Sequence, residues 1–174
     1  MVADLIKDRS SIRRMSGEII PEEKINILFE AAGLAASAHN AQPWQFVYVL
    51  REDDGWNQFF ECVVPANQRW AKDAGMLVVV ASHQEFVIGD EVEKNPYAVF
   101  DVGAAVQNMA LQASELGLAL CVMGGCDKRN LRVATGLSSA YDIEVMIAVG
   151  APEFKPSGRA QRKPVKEIAF RGRV

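Results

Sequence analysis

The sequence is poor in the side chains that build metal centres and hydrolytic active sites. Its 174 residues include two histidines, His39 and His83, and neither lies in a hydrolase motif. The three cysteines are Cys62, Cys121 and Cys126, and the last two lack the spacing and the nearby histidine of a zinc site. We therefore predict no metal site and no nucleophile–base pair. An odd number of cysteines without a secretion signal predicts free thiols in a reducing cytoplasm.

Long apolar runs and a basic charge balance are also missing. No run reaches the roughly 18 apolar residues that a membrane helix needs. The formal net charge of −3 argues against a nucleic-acid-binding protein. The dinucleotide motif GxGxxG and the phosphate-loop motif GxxxxGK[ST] do not occur, so a simple Rossmann or phosphate-loop fold is excluded. We expect a cytoplasmic protein whose partners are neither nucleic acid nor membrane.

What is present is the composition and periodicity of a single globular domain over residues 1–174. Hydrophobic residues make up 49% of the chain and charged residues 24%. The spacing of apolar, capping and breaking residues predicts the helices. They run from about Pro21 to Ser37 at the latest, over 56–63 with a break at Pro65, over 97–118, and from the N-cap Asp127 to a stop at Gly136.

Runs of β-branched and aromatic residues predict strands at 44–50, 76–81, 119–123 and 143–149. The run 76–81 is almost wholly apolar, which indicates a central strand buried on both faces. Residues 83–97 are polar and irregular, which favours a loop or lid. The basic tail 152–174 holds Pro156, Gly158 and Pro164 and is too polar to form its own core, so we expect an arm laid over another surface.

Three segments carry groups suited to an anionic, planar ligand. RSSIRR at 9–14 offers guanidinium and hydroxyl groups for a phosphate, SAHNAQPW at 37–44 offers small residues and amides, and Gly124-Gly125 exposes backbone N–H groups after a strand. Each has an ordinary alternative: a solvated charged turn, a helix-to-strand turn and a tight turn.

Together these segments resemble the nitroreductase family of flavoproteins. The matching stretches occur in the family's order and cover nearly the whole chain. They are RSSIRR at 9–14, ASAHNAQPWQFVYV at 36–49, NQRWAKDAGMLVVV at 67–80, DVGAAVQNMALQASELGL at 101–118, VMGGCD at 122–127, IAVGAPE at 147–153 and RKPVKEI at 162–168. The resemblance implies an α+β fold with a central, mostly antiparallel sheet flanked by helices. It also implies an intertwined homodimer, with FMN at the subunit interface and 152–174 as the arm over the partner.

The resemblance also implies roles for individual residues. Arg9, Ser11 and Arg162 would contact the FMN phosphate, with Ser10 beside them. Arg13 would approach the N1/O2 edge of the flavin, Asn67 its pyrimidine edge, and the backbone of Gly124 and Gly125 would lie beside N5 and O4, next to Met123. The other subunit would contribute Ala36, Ser37, Ala38, Asn40 and Gln42. No side chain would act as a catalytic acid or base, since flavin N5 carries the chemistry.

The implied activity is transfer of electrons from NAD(P)H through the flavin to nitroaromatic or quinone acceptors by a ping-pong mechanism. Three departures from the family bear on this activity: Trp70 stands where some members have lysine, Gly124 where some have glutamate, and the 83–97 region is short. Alternatives within the superfamily are a reductive dehalogenase, a flavin-fragmenting enzyme and a dehydrogenase. A flavin-binding protein without turnover is the alternative from another class.

Overall fold

The computed structural model describes residues 1–154 and 160–173, and its centre is an antiparallel sheet. The strands, in chain order, are β1 (Trp44–Leu50), β2 (Met76–His83), β3 (Glu85–Ile88), β4 (Glu91–Lys94), β5 (Ala119–Met123) and β6 (Tyr141–Gly150). The main sheet has the order β1-β2-β6-β5 with every neighbouring pair antiparallel. β1 and β5 are therefore its outer strands, and β3 and β4 form a separate hairpin.

The helices, in chain order, are α1 (Asp4–Asp8), α2 (Glu22–Gly33), α3 (Trp56–Phe60), α4 (Pro65–Ala71), α5 (Ala98–Glu115) and α6 (Lys128–Thr135). Short 3-10 turns occur at Ala38–Asn40 and Val165–Glu167. The ends of α6 have clear local causes. The Asp127 carboxylate accepts from the backbone N–H groups of Arg129 and Asn130, and Gly136 ends the helix at a φ of 67°, where glycine avoids the strain of a Cβ.

The sheet is buried on both faces, and the alternation of β2 divides the core in two. Leu77, Val79 and Ala81 join the core layer that α3, α4 and α6 cover. The intervening Met76, Val78 and Val80 join the layer under α2 and α5. Because successive side chains of a strand point to opposite faces, an unbroken apolar run is what such a central strand requires. The predicted α+β fold with an antiparallel sheet flanked by helices is confirmed.

Most predicted elements occur where the periodicity indicates them, but α1 and α4 were not predicted, and one prediction was wrong. The helix predicted before Pro65 ends at Phe60, and Pro65 itself begins α4, since its fixed φ and missing N–H suit a first helical turn. Residues 83–97 are not a simple loop, because β3 and β4 pair across Gly89-Asp90, with Gly89 at a φ of 63°. The polar composition concealed a hairpin, although glycine at such a turn is a hairpin signal.

The part of the predicted tail that the structure describes lies on the outside of the chain. Every residue of 160–173 is exposed, including the apolar Val165, Ile168 and Phe170. Pro156 and Gly158 of the predicted tail lie outside the described residues. None of the described helices is long and apolar enough to cross a membrane.

Candidate functional site

The RSSIRR segment lies along the outer edge of β5. α1 ends at Asp8, and the backbone N–H of the next residue, Arg9, donates to the Leu5 carbonyl at 3.2 Å. Two residues later, Ser11 forms a parallel bridge with Leu120 of β5. Arg9 and Ser10 are partly buried, whereas the side chain of Ser11 is exposed. This pairing brings a cationic, hydroxyl-bearing segment beside the strand that leads into Gly124-Gly125, more than 100 residues further along the chain.

Arg13 contacts α4 and lies near Cys121 of β5. Its guanidinium carbon lies 5.9 Å from the centroid of the Trp70 ring, near the end of α4. Burial raises the pKa of the Cys121 thiol above its ordinary value of 9.0, and the positive charge of Arg13 lowers it by a smaller amount. Cys121 therefore stays a neutral thiol beside a cation near neutral pH.

The turn after β5 is packed against the start of α4. Cys126 forms a β-bridge with Val63, and the Val64 N–H donates to the Gly125 carbonyl at 3.4 Å. A Cβ at Gly125 would lie 2.9 Å from Val64 Cγ2, so only glycine fits there without displacement. A Cβ at Gly124 would meet nothing within 4 Å, so that side of the turn is open.

Asn67 and Met123 complete this first group of predicted site residues. The Asn67 backbone N–H donates to the Val64 carbonyl at 2.8 Å, which places Asn67 in the first turn of α4 beside the glycine turn. Met123 is buried at the end of β5. Guanidinium and hydroxyl groups on one side and an open backbone turn on the other suit a ligand with a phosphate and a flat heterocycle.

The segment 36–42 forms a second group with a strained backbone. His39, Asn40 and Gln42 have φ values of 51°, 55° and 46°, in the left-handed region that non-glycine residues rarely adopt. Local hydrogen bonds hold this shape, because the Gln42 N–H donates to Ser37 Oγ at 2.9 Å and Gln42 Nε2 donates to the Asn40 carbonyl at 3.2 Å. Strained backbone that the surrounding hydrogen bonds hold in place is common at ligand-binding sites.

Asp101 of α5 anchors the second group, and the sequence reasoning did not identify it as functional. Its carboxylate accepts from the Ala38 backbone N–H at 2.9 Å, and the residue is only 4% exposed. The available signal was a charged residue in an otherwise apolar helix, since such a carboxylate needs a partner. Asp101 therefore fixes where the small residues Ala36 to Ala38 present their backbone.

A cavity of about 440 Å³ adjoins the second group. It lies between the 39–41 segment and the β3–β4 hairpin, and both histidines line it. The His39 and Phe86 rings stack with centroids 5.5 Å apart, and the His83 and Tyr141 rings meet edge to face at 4.8 Å. The residues predicted as a lid thus form one wall of an aromatic cavity.

The described contacts keep the two groups apart within one chain. The first group is tied to β5 and α4, the second to α5 and β3, and no hydrogen bond or ring contact between described residues joins them. Arg162 lies with neither group; its guanidinium donates to the carbonyls of Ala160 at 2.9 Å and Gln161 at 3.4 Å in the exposed tail. A complete site with all the predicted residues thus needs more than the described contacts of one chain.

A model of the nitroreductase family matches residues 6–63 and 51–151 of the sequence. The chain belongs to this family. A protein of Archaeoglobus fulgidus, provisionally named NADH dehydrogenase/NAD(P)H nitroreductase, is 30% identical over 86% of this chain and 84% of its own. The iodotyrosine deiodinase of Thermotoga neapolitana is 27% identical over 88% of this chain and 89% of its own.

Solved structures of the nitroreductase kind share the fold. The crystal structure of an oxidoreductase containing FMN superposes with a TM-score of 0.92 at 32% identity, covering 99% of this chain and 92% of its own. A provisionally named nitroreductase of Desulfovibrio desulfuricans, solved with FMN, superposes at 0.81 with 26% identity, covering 98% of this chain and 96% of its own. The resemblance to the nitroreductase family is therefore confirmed, whereas the roles of individual site residues stay predictions.

Proposed function

We propose that this nitroreductase-family protein is an FMN-dependent NAD(P)H oxidoreductase that acts on nitroaromatic or quinone acceptors as a homodimer. The observation that carries the proposal is the parallel bridge between Ser11 and Leu120. It sets the candidate phosphate-binding segment beside the glycine turn that would face the flavin. The FMN named for two similar structures, and a 23% identical FMN reductase (NADPH) of Bacillus subtilis, support the cofactor and the donor.

The residues of this chain would hold FMN at both ends. Arg9, Ser11 and the tail residue Arg162 would bind the phosphate, with Ser10 beside them. Asn67 would lie at the pyrimidine edge, and the open side of the turn at Gly124 and Gly125 would let backbone N–H groups approach the ring. Ala36, Ser37, Ala38, Asn40 and Gln42 of a second subunit would close the site, on a segment that Asp101 and the local hydrogen bonds hold in shape.

Bound FMN would supply hydride acceptance at N5 and onward delivery of two electrons. The protein's part is to bind, orient and stabilise charge. Arg13 would place a positive charge where negative charge develops at the N1/O2 edge. The strained 39–42 segment and the stacked His39 and Phe86 rings would shape the side from which donor and acceptor enter. No side chain of the site has to give or take a proton.

One open side next to the turn implies that donor and acceptor use the site in succession. Initial rates of NADH and NADPH oxidation should therefore be measured at several fixed concentrations of menadione and of a nitrobenzoate. Parallel double-reciprocal lines are expected for this ping-pong scheme. Intersecting lines would show a ternary complex and contradict it, and absence of NAD(P)H oxidation by FMN-loaded protein would exclude the oxidoreductase function.

Reductive dehalogenation is the second candidate, because the similarity to the Thermotoga iodotyrosine deiodinase extends over most of both chains. Release of iodide from an iodophenol by dithionite-reduced protein, without turnover of quinones, would favour this function. FMN binding with neither activity would instead indicate a flavin-binding protein without turnover.

The homodimer is supported by apolar surface that one chain leaves uncovered. Val99 and Phe100 of α5 are 58% and 79% exposed, and the tail presents further apolar side chains. A folded chain normally covers such groups or uses them in association. An obligate interface should bury more than about 2,000 Å². Light scattering at micromolar concentration should give twice the chain mass, and a folded, FMN-loaded monomer would contradict the dimer.

A further inference from the structure

Arg13 is an exposed arginine whose guanidinium nevertheless has a defined neighbour. Trp70 contacts it from α4 through a cation–π interaction, with the guanidinium carbon 5.9 Å from the ring centroid. An arginine side chain free in solvent samples many rotamers, and ordering it costs conformational entropy. Contact with this ring reduces the entropy that remains to be lost when a ligand binds.

The Trp70 ring is itself held by the core. Trp70 packs its partly buried ring against the core layer that α3, α4 and α6 cover. The partly buried ring therefore restricts the positions that the guanidinium adopts. Trp70 also stands where some family members have a lysine, so here an aromatic face replaces a second positive charge.

We infer that Trp70 is a positioning residue that holds the Arg13 guanidinium at the flavin edge and thereby tunes the reduction potential of bound FMN. The inference rests on the proposed function, since it needs FMN in the site. A fixed cation stabilises the more negative, reduced cofactor more than the oxidised one. Loosening the guanidinium therefore weakens binding of reduced FMN more than binding of oxidised FMN, and the potential becomes more negative.

Trp70→Leu removes the aromatic face and retains an apolar side chain. A cation–π contact at an exposed site corresponds to about a two- to fivefold change in an equilibrium constant. The affinity for reduced FMN should fall by that factor relative to oxidised FMN. For a two-electron couple at 29.6 mV per tenfold change, the midpoint potential should then fall by about 10 to 20 mV. Trp70→Phe keeps a smaller ring and should give a partial shift in the same direction.

Trp56 offers a matched control elsewhere in the chain. Its ring lies 5.9 Å from the Arg51 guanidinium carbon and packs against the same core layer as Trp70. Trp56→Leu should lower stability to a similar degree while leaving the potential unchanged. An equal shift in both variants would show a general loosening of the fold and would overturn the inference.

The decisive measurement is the potential of Arg13→Gln alone and combined with Trp70→Leu. If Trp70 acts through Arg13, the second substitution produces no further shift, because the charge to be positioned is gone. Additive shifts would show that Trp70 acts directly and would refute a positioning role.

The outcomes separate this inference from the proposed function. Failure of the wild-type protein to bind FMN, measured by quenching of flavin fluorescence, would remove the basis of both. Normal FMN binding with an unchanged potential in Trp70→Leu would overturn the positioning role alone. If Trp70→Leu does not fold, Trp70→Phe decides: an intermediate negative shift supports the role, and an unchanged potential refutes it.

Discussion

Gly125 is the residue at which the turn after β5 packs against Val64, and alanine there would test how closely that turn is built. The added Cβ would lie 2.9 Å from Val64 Cγ2 and 3.2 Å from Val64 Cγ1. Ordinary carbon–carbon contact is at about 3.5–4.0 Å. Valine is stiff about χ1, so the clash cannot be relieved by a simple rotation. Gly125→Ala should therefore destabilise the protein by about 1–3 kcal/mol, the usual range for overpacking.

Gly124→Ala is the matched comparison, because its Cβ would meet nothing within 4 Å and neither glycine has a positive φ. In the absence of FMN it should leave stability unchanged or raise it by about 0.4–1 kcal/mol, through the unfolded chain. If the open side of the turn faces the flavin, however, the same methyl group should weaken FMN binding. Gly124→Ala thus separates an effect on the ligand from an effect on the fold.

Urea unfolding of both variants at one fixed protein concentration, with FMN absent, measures their free energies of unfolding. Val64→Ala in the Gly125→Ala background should recover much of the loss, because it removes both methyl carbons that the new Cβ meets. Equal stability of Gly125→Ala and the wild-type protein would refute the close packing of the turn. A failure of Val64→Ala to rescue the variant would place the strain elsewhere.

Four further predictions concern binding, stability, selectivity and thiol chemistry. Arg9→Ala should weaken FMN binding at least about tenfold, because a charge-assisted hydrogen bond to the phosphate is lost. Substitution of the exposed Arg129 by alanine is the control, and an unchanged FMN affinity of Arg9→Ala would remove Arg9 from the site. Asp127→Ala should cost about 1 kcal/mol of stability by uncapping α6 and Asp127→Asn much less, and equal losses in urea unfolding would contradict the cap. Phe86→Ala should change the ratio of kcat/KM values for small quinones and nitroaromatics, because Phe86 lines the cavity and stacks on His39. An unchanged ratio would show that Phe86 does not contact the acceptor. Burial raises the pKa of all three cysteine thiols above 9.0, so alkylation by iodoacetamide should be slow at pH 7 and should accelerate as the pH passes 9. Rapid labelling at pH 7 would show that the thiols are already ionised there.

Local sequence patterns predicted much of the secondary structure because they act within a few residues. The unbroken apolar run of β2, the cap and glycine stop of α6, and the apolar periodicity of α5 are each visible without knowledge of the rest of the chain. The hairpin of β3 and β4 was not predicted because no apolar pattern within its own residues indicates it. Its strands carry mostly polar residues, and pairing of one strand with the other rather than core burial defines them.

Part of the candidate site could also be identified from the sequence. The arginine-rich segment, the 36–42 segment and the glycine pair are chemically distinctive, and their order along the chain resembles the family. The partners of these residues could not be predicted in the same way. Nothing near Arg13 in the sequence indicates Trp70, and nothing near Ala38 indicates Asp101, because these contacts span 57 and 63 residues.

The sequence by itself thus determined the fold class, the boundaries of most elements and the kind of ligand that the distinctive segments suit. Only the tertiary structure decided that the arginine segment runs along β5, that Gly125 is pressed against Val64, and that Asp101 holds a strained segment in place. The physical reason is the distance along the chain over which each interaction acts. Propensity, capping and periodicity act over one or two turns of chain, whereas a site is assembled by sheet register and helix packing between segments that are distant in sequence.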